Sequence, residues 1–135
     1  MQMAEAAASL SQDPDTQVGC VIVKDNYVLA SGFNGTPRGC DNTCKHHTGV
    51  TKSEVIHAEM NALMQMARST QSTVGATAYT TLQPCLPCAI HMYQAGITRV
   101  VFRDSTDNDA GKLFLMKGLG NGNISSLPKG KGSDQ

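Results

Sequence analysis

The stretch Thr77-Ala78-Tyr79-Thr80-Thr81-Leu82-Gln83-Pro84-Cys85-Leu86-Pro87-Cys88-Ala89-Ile90-His91-Met92-Tyr93-Gln94-Ala95-Gly96-Ile97-Thr98-Arg99-Val100-Val101-Phe102 places a helical segment between two strand-like runs. Thr77 to Leu82 and Thr98 to Phe102 are rich in β-branched and aromatic residues and short enough for buried strands. Between them, Pro87 near the start and Gly96 just past the end bracket a helix from Cys85 to Ala95. A strand, a helical crossover and a second strand make a parallel pair.

Working outward, Val18 to Val23 and Tyr27 to Ser31 read as two strands joined by a turn at Asp25-Asn26, a hairpin. The Ala-rich segment Gln2 to Leu10 is a short helix stopped by Asp13-Pro14-Asp15. Met60, Leu63, Met64 and Ala67 recur at helical spacing, which predicts a helix over Ile56 to Ser69 with its methionines in the core. Asp109 to Lys117 reads as a last helix, followed by a short strand at Ile124. From Gly32 to about Ser53 the chain has no periodicity but collects Gly, Pro, Asn, Cys and His, the composition of a functional loop. Strands alternating with helices imply an α/β fold, a three-layer α/β/α sandwich around a mixed central sheet whose first pair is antiparallel and whose later pairs are parallel.

The 135 residues suit one domain, read here as 1–128 with a Gly-, Lys- and Ser-rich tail over 129–135. Eleven basic and eleven acidic residues leave no net charge, which argues against a nucleic-acid or membrane-surface partner and for a small substrate. Charged residues are only 16% of the chain, sparse for a monomer's surface, so self-association is expected. Five cysteines, an odd number, in a chain whose opening Met1-Gln2-Met3-Ala4-Glu5-Ala6-Ala7-Ala8 lacks the basic lead of a secretory signal, are read as thiols of a reducing compartment, the cytoplasm or, for a viral protein, that of its host.

The chemistry concentrates at the expected starts of two helices, with His57 on one and Cys85 and Cys88 on the other. Spacing of three puts both cysteines on one turn, where the helix dipole favours thiolates. These are zinc-binding residue types, and three of them leave a fourth tetrahedral position open. An open position marks catalytic zinc, because water there is acidified to a pKa of about 7, whereas structural zinc is closed by four ligands. Glu59 is then near the metal without being a ligand. A zinc clip that merely joined two helices would have no use for Glu59 and would want a fourth Cys or His.

His57-Ala58-Glu59 with Pro84-Cys85-Leu86-Pro87-Cys88 is the zinc-deaminase signature. Gln17-Val18-Gly19-Cys20-Val21-Ile22-Val23, Ser31-Gly32-Phe33-Asn34-Gly35-Thr36-Pro37-Arg38-Gly39, His57-Ala58-Glu59-Met60-Asn61-Ala62 and Thr80-Thr81-Leu82-Gln83-Pro84-Cys85 extend the match, and the chain from about residue 1 to 104 resembles the deoxycytidylate deaminases. That resemblance implies a cytidine deaminase-like fold and a homohexamer that hydrolyses dCMP to dUMP and ammonia and so supplies dUMP for dTMP synthesis. It also implies activation by dCTP and inhibition by dTTP at a magnesium-assisted site. Glu59 would shuttle the proton, the Ala58 amide and Gln83 carbonyl would read the pyrimidine edge, and Asn34 would touch the sugar.

Several assignments stay open at this level. The 5′-phosphate would take Arg38 with the Gly35 and Thr36 backbone, while Asn34-Gly35 and Pro37 also read simply as turn formers. Arg68 matches a family arginine implicated in effector response and equally suits a cation at a helix C-terminus. Phe33 either stacks on a base in that effector region or is core. Cys40, Cys44, His46 and His47 either hold a second zinc, as in some family members, or belong to a polar loop with free cysteines. Cys20 reads as a buried apolar side chain and His91 as a satisfied histidine. Competing functions are deamination of free cytosine compounds, guanine, a riboflavin precursor or tRNA adenosine, the last disfavoured by neutral charge, and a non-catalytic zinc-binding nucleotide effector module.

Overall fold

The computed structural model describes residues 1–39 and 54–127. Asp25 and Asn26 both take positive φ, 52° and 68°, the two-residue turn whose twist matches a hairpin and which Asp and Asn tolerate. They join β1 (Gly19–Lys24) to β2 (Tyr27–Phe33) in an antiparallel pair running from Lys24↔Tyr27 to Gly19↔Phe33, with one register shift between Ile22 and Val23. β2 therefore passes the expected end at Ser31 and carries Gly32 and Phe33 into the sheet.

β3 (Thr77–Leu82), β4 (Arg99–Asp104) and β5 (Ile124–Ser126) complete a five-stranded sheet of order β2-β1-β3-β4-β5. β1 is antiparallel to both β2 and β3, whereas β3–β4 and β4–β5 are parallel, the mixed pattern expected. The helices are α1 (Gln2–Ala8), α2 (Ala58–Ala67), α3 (Leu86–Gln94) and α4 (Ala110–Leu119). α3 starts at its prolyl turn and stops before Gly96, whose φ of 95° is the left-handed C-terminal conformation that Gly adopts without cost.

Two glycines on neighbouring strands show how the layers seat. A Cβ built on Gly19 would lie 2.0 Å from the Ala4 carbonyl oxygen, and one on Gly32 would lie 2.5 Å from both the Ala58 oxygen and the Ala62 nitrogen. Gly32 pairs with Cys20, the neighbour of Gly19, and successive residues point to opposite faces of a strand. α1 thus lies on one face and α2 on the other, each against bare backbone. The α2 face holds the main core, in which Cys20, Ile22, Ala78, Val100 and Phe102 meet Ala62, Leu63 and Met66 of α2, Ala89 and Met92 of α3 and Leu115 of α4. On the other face, Arg103 of β4 reaches Glu5 of α1 at 3.0 Å.

One expectation needs correcting. α2 buries Ala58, Glu59, Ala62, Leu63 and Met66, while Met64 and Ala67 are exposed. Apolar residues surround this helix, so periodicity alone does not choose a face; the close approach to Gly32 does, because it admits only the small side chains of Ala58 and Ala62. Gly32→Ala should therefore push α2 off the sheet and cost about 1–3 kcal/mol, the usual range for overpacking. A lowered thermal midpoint checks this; an unchanged midpoint would show that α2 does not depend on that contact.

Candidate active site

α2 and α3 begin beside one another. His57 is the N-cap of α2 and Cys85 the N-cap of α3, both with extended backbone, and Cys88 follows in the first turn of α3. The His57 side chain does not cap its own helix, while the Cys85 sulfur is hydrogen-bonded by Cys88 in the first turn of α3. The three side chains turn toward each other, with His57 Nδ1 3.3 Å from Cys88 Sγ and 3.4 Å from Cys85 Sγ. All three donor atoms lie within 4.8 Å of one another. Zinc bonds of about 2.0–2.3 Å at tetrahedral angles require donor atoms about 3.5–3.8 Å apart, so the set fits a zinc ion with little adjustment. Its burial is graded: Cys88 is sealed, Cys85 half-buried and His57 exposed, which leaves the site open on one side.

The electrostatics agree with a cation site. Hydrogen bonding from Cys88 and from His57 pulls the Cys85 thiol down to about 4, and the same contact pushes the Cys88 thiol up. The His57 imidazole is raised by its bond to Cys85. The lowered Cys85 thiol and the raised Cys88 thiol are two ends of one shared contact, and a bound dication would favour the thiolate of both. Glu59, 5% exposed, is the second residue of α2, in its first turn, and burial pushes its carboxyl up to about 7. Cys20 lies deeper, its thiol raised by burial and then by the charge of Glu59, consistent with an inert core side chain.

These groups open into a cleft of about 230 Å³ whose lining includes His57, Ala58, Glu59, Gln83 and Cys85 beside Asp13, Val18 and Asn34. Ala58 and Gln83, the expected readers of a pyrimidine edge, are both at the cleft. The Gln83 side chain is anchored away from it, donating through Nε2 to the Asn108 carbonyl and Asp109 Oδ1 before α4. α4 itself rests on the cysteine turn, since a Cβ on Gly111 would lie 2.3 Å from the Pro84 oxygen and 2.7 Å from that of Cys85. Asn34 lines the cleft with both ends of its amide engaged, Oδ1 accepting from the Val18 N–H and Nδ2 donating to the Thr16 carbonyl.

Other sequence-based candidates fall elsewhere. Arg38 is exposed and not among the described residues lining the cleft. Phe33 ends β2, Gly35 pairs with Ile56 across an isolated bridge, and Thr36 lies between Gly35 and Arg38. Arg68 is the exposed C-cap of α2. His91 contacts the Pro87 carbonyl and takes no part in the donor set. Cys40, Cys44, His46 and His47, the suggested second zinc site, lie outside the described residues, as does the tail over 129–135. Sequence reading treated Asp13 only as part of a helix stop, whereas it is buried and lines the cleft. Its link to Asn34 is long-range, so the local sequence carries no signal for it.

Residues 1–104 match the family model described as the cytidine and deoxycytidylate deaminase zinc-binding region. The chain belongs to this deaminase family. It is 34% identical over 133 residues to the human deoxycytidylate deaminase, covering 88% of this chain and 74% of that protein. To the deoxycytidylate deaminase of Schizosaccharomyces pombe it is 35% identical over 131 residues, 89% of this chain but only 40% of the yeast protein. The crystal structure of dCMP deaminase from the cyanophage S-TIM5, in complex with dCMP and dUMP, superposes with a TM-score of 0.86 at 33% identity, covering 94% of this chain and 91% of that one. The chain is thus a deaminase, a hydrolase of the family whose sheet and helix layers it shares. Among the described residues no helix is long and apolar enough to cross a membrane.

Cys85→Ser should reduce bound zinc well below one per chain and remove activity, as read by metal analysis of the purified variant. Retention of stoichiometric zinc with full activity would remove Cys85 from the donor set.

Proposed function

We propose that this chain hydrolyses dCMP to dUMP and ammonia, using a zinc ion held by His57, Cys85 and Cys88. The observation that carries the reading is the convergence of those three donors on one open cleft with the buried Glu59 beside them. The cyanophage enzyme that binds dCMP and dUMP supports it as a near full-length relative. Bound there, zinc supplies Lewis acidity that lowers the pKa of water.

The chain's own residues do the rest. Ala58 and Glu59 are the first residues of α2, so no helix carbonyl accepts their N–H groups, and that of Glu59 meets its own carboxyl. The Ala58 amide donates to O2 of the base and the Gln83 carbonyl accepts from the 4-amino group. Glu59 takes a proton from water as oxygen bonds to C4 and passes it to N3, then takes the second proton from the new C4 hydroxyl and delivers it to the amine as the C4–N bond breaks and the C4 carbonyl forms. Water and dCMP thereby become dUMP and ammonia. Asn34 offers its remaining N–H and lone pair to the sugar. Arg38, with the Gly35 and Thr36 backbone, belongs to the segment proposed to meet the 5′-phosphate.

Regulation and assembly extend the proposal. α3 exposes Leu86, Ile90 and Tyr93 at helical spacing, 38%, 41% and 42% exposed, an apolar stripe suited to burial between subunits of a homohexamer. Arg68, on the neighbouring helix, and the segment holding Phe33, Gly35 and Thr36 would carry the response to dCTP as activator and dTTP as inhibitor, each with Mg²⁺. The two triphosphates differ at the base position that the enzyme itself transforms, so one loop that reads that edge distinguishes them; coupling then requires unequal affinity for two states. The reaction belongs in the cytoplasm, where it supplies dUMP for dTMP synthesis.

Ammonia release from dCMP tests the chemistry. Glu59→Gln should retain zinc and nucleotide while the rate falls by several powers of ten, because each proton transfer loses its carrier. A variant keeping more than about a tenth of the rate would exclude Glu59 from that role, and a native chain inert toward dCMP would favour the non-catalytic effector module. For regulation, dCMP kinetics should be sigmoidal, become hyperbolic with dCTP and Mg²⁺, and be inhibited by dTTP. Arg68→Glu should weaken the dTTP response while leaving zinc content intact; hyperbolic curves indifferent to both triphosphates would describe an unregulated enzyme.

A further inference from the structure

The cleft wall away from the cysteines is built by a short buried polar net. Ser11, Asp13 and Asn34 are 4%, 3% and 7% exposed. Asp13 Oδ1 accepts from the backbone amides of Asp15 and Thr16, at 2.8 and 3.0 Å. The Asp13 amide donates to Ser11 Oγ at 3.2 Å, and that hydroxyl donates to the Asn34 carbonyl at 2.8 Å. From Thr16 the net passes directly to the Asn34 side chain, whose Nδ2 donates to the Thr16 carbonyl at 2.8 Å while its Oδ1 accepts from the Val18 amide at 2.9 Å. Both ends of the Asn34 amide are therefore fixed by backbone whose course Asp13 sets.

A carboxylate accepting two backbone amides makes charge-assisted bonds that are stronger than neutral ones. We propose that Asp13 is a positioning residue for substrate, closing the turn through Thr16 so that the Asn34 amide is held ready for the sugar. This rests on the reading of Asn34 as the sugar contact. Loss of the carboxylate then acts through the Asn34 amide, whose misplacement weakens dCMP binding.

The test compares kcat and KM for dCMP in the native chain, Asn34→Ala, Asp13→Ala, the double variant and Asp13→Asn. Losing one neutral hydrogen bond to substrate should raise KM by about five- to tenfold in Asn34→Ala. Asp13→Ala should raise KM by a similar factor with kcat little changed. The double variant should be no worse than Asn34→Ala, because both remove one interaction. Asp13→Asn, which keeps an Oδ1 acceptor able to close the same turn, should restore KM. A purely structural role would lower kcat through the active fraction and leave KM alone. The inference is overturned by an unchanged or lowered KM in Asp13→Ala, by additive effects in the double variant, or by Asp13→Asn behaving like Asp13→Ala. If Asn34→Ala leaves KM unchanged, the sugar contact fails and this inference with it; if Asn34→Ala raises KM and Asp13→Ala does not, this inference alone fails. Should Asp13→Ala not fold, Asp13→Glu keeps the charge but displaces the acceptor, and the same rise in KM is expected.

Discussion

Two helices must begin within a few ångströms of each other for this site to exist, and the backbone contacts beneath them are what hold those starts in place. α2 lies so close on Gly32 that a methyl group there would strike its carbonyl and amide atoms, and α4 rests equally close on the Pro84-Cys85 turn through Gly111. These contacts leave no slack between sheet and helices. His57 and Cys85, each ending an extended segment at the N-cap, are delivered to the same point, and Cys88 completes the set one turn later. The exposed N–H groups of both helix starts favour anionic donors there, in keeping with the depressed Cys85 thiol.

The same arrangement supports the proposal that one carboxylate carries the proton. Glu59 is carried by the helix that presents His57, so the zinc-donor candidate and the proposed proton carrier share a rigid element and their separation does not depend on a loop. Its burial, which pushes the carboxyl up to about 7, comes from the core under α2. The fold's central packing and the acid–base character of the site are thus two consequences of one seating of α2 on the sheet.

Much of this was legible in the sequence, for identifiable reasons. Strand runs bounded by turn residues, Pro87 and Gly96 around α3, and the Asp25-Asn26 turn are local signals, and the structure keeps each of them. The spacing of His57, Glu59, Cys85 and Cys88 is local within each pair and needed only the two helix starts to coincide. What was not legible depended on long-range contact. The buried face of α2 differs from the expected one because Met64 and Met66 are equally apolar, and Gly32, distant in sequence, decides between them. Asp13 looked like a helix stop, because nothing nearby in the chain reveals that Asn34 lies against the segment it folds. Arg38 seemed close to the chemistry by motif proximity, yet it stands exposed outside the described cleft lining.

Zinc K-edge X-ray absorption on the purified chain tests the central claim most directly, because it reads the donor atoms themselves. The account predicts one zinc per chain with two sulfur neighbours at about 2.3 Å and two nitrogen or oxygen neighbours at about 2.0–2.2 Å, one of them His57 and one exchangeable with solvent. A closed shell of four sulfurs, or a chain that binds no zinc, would contradict it.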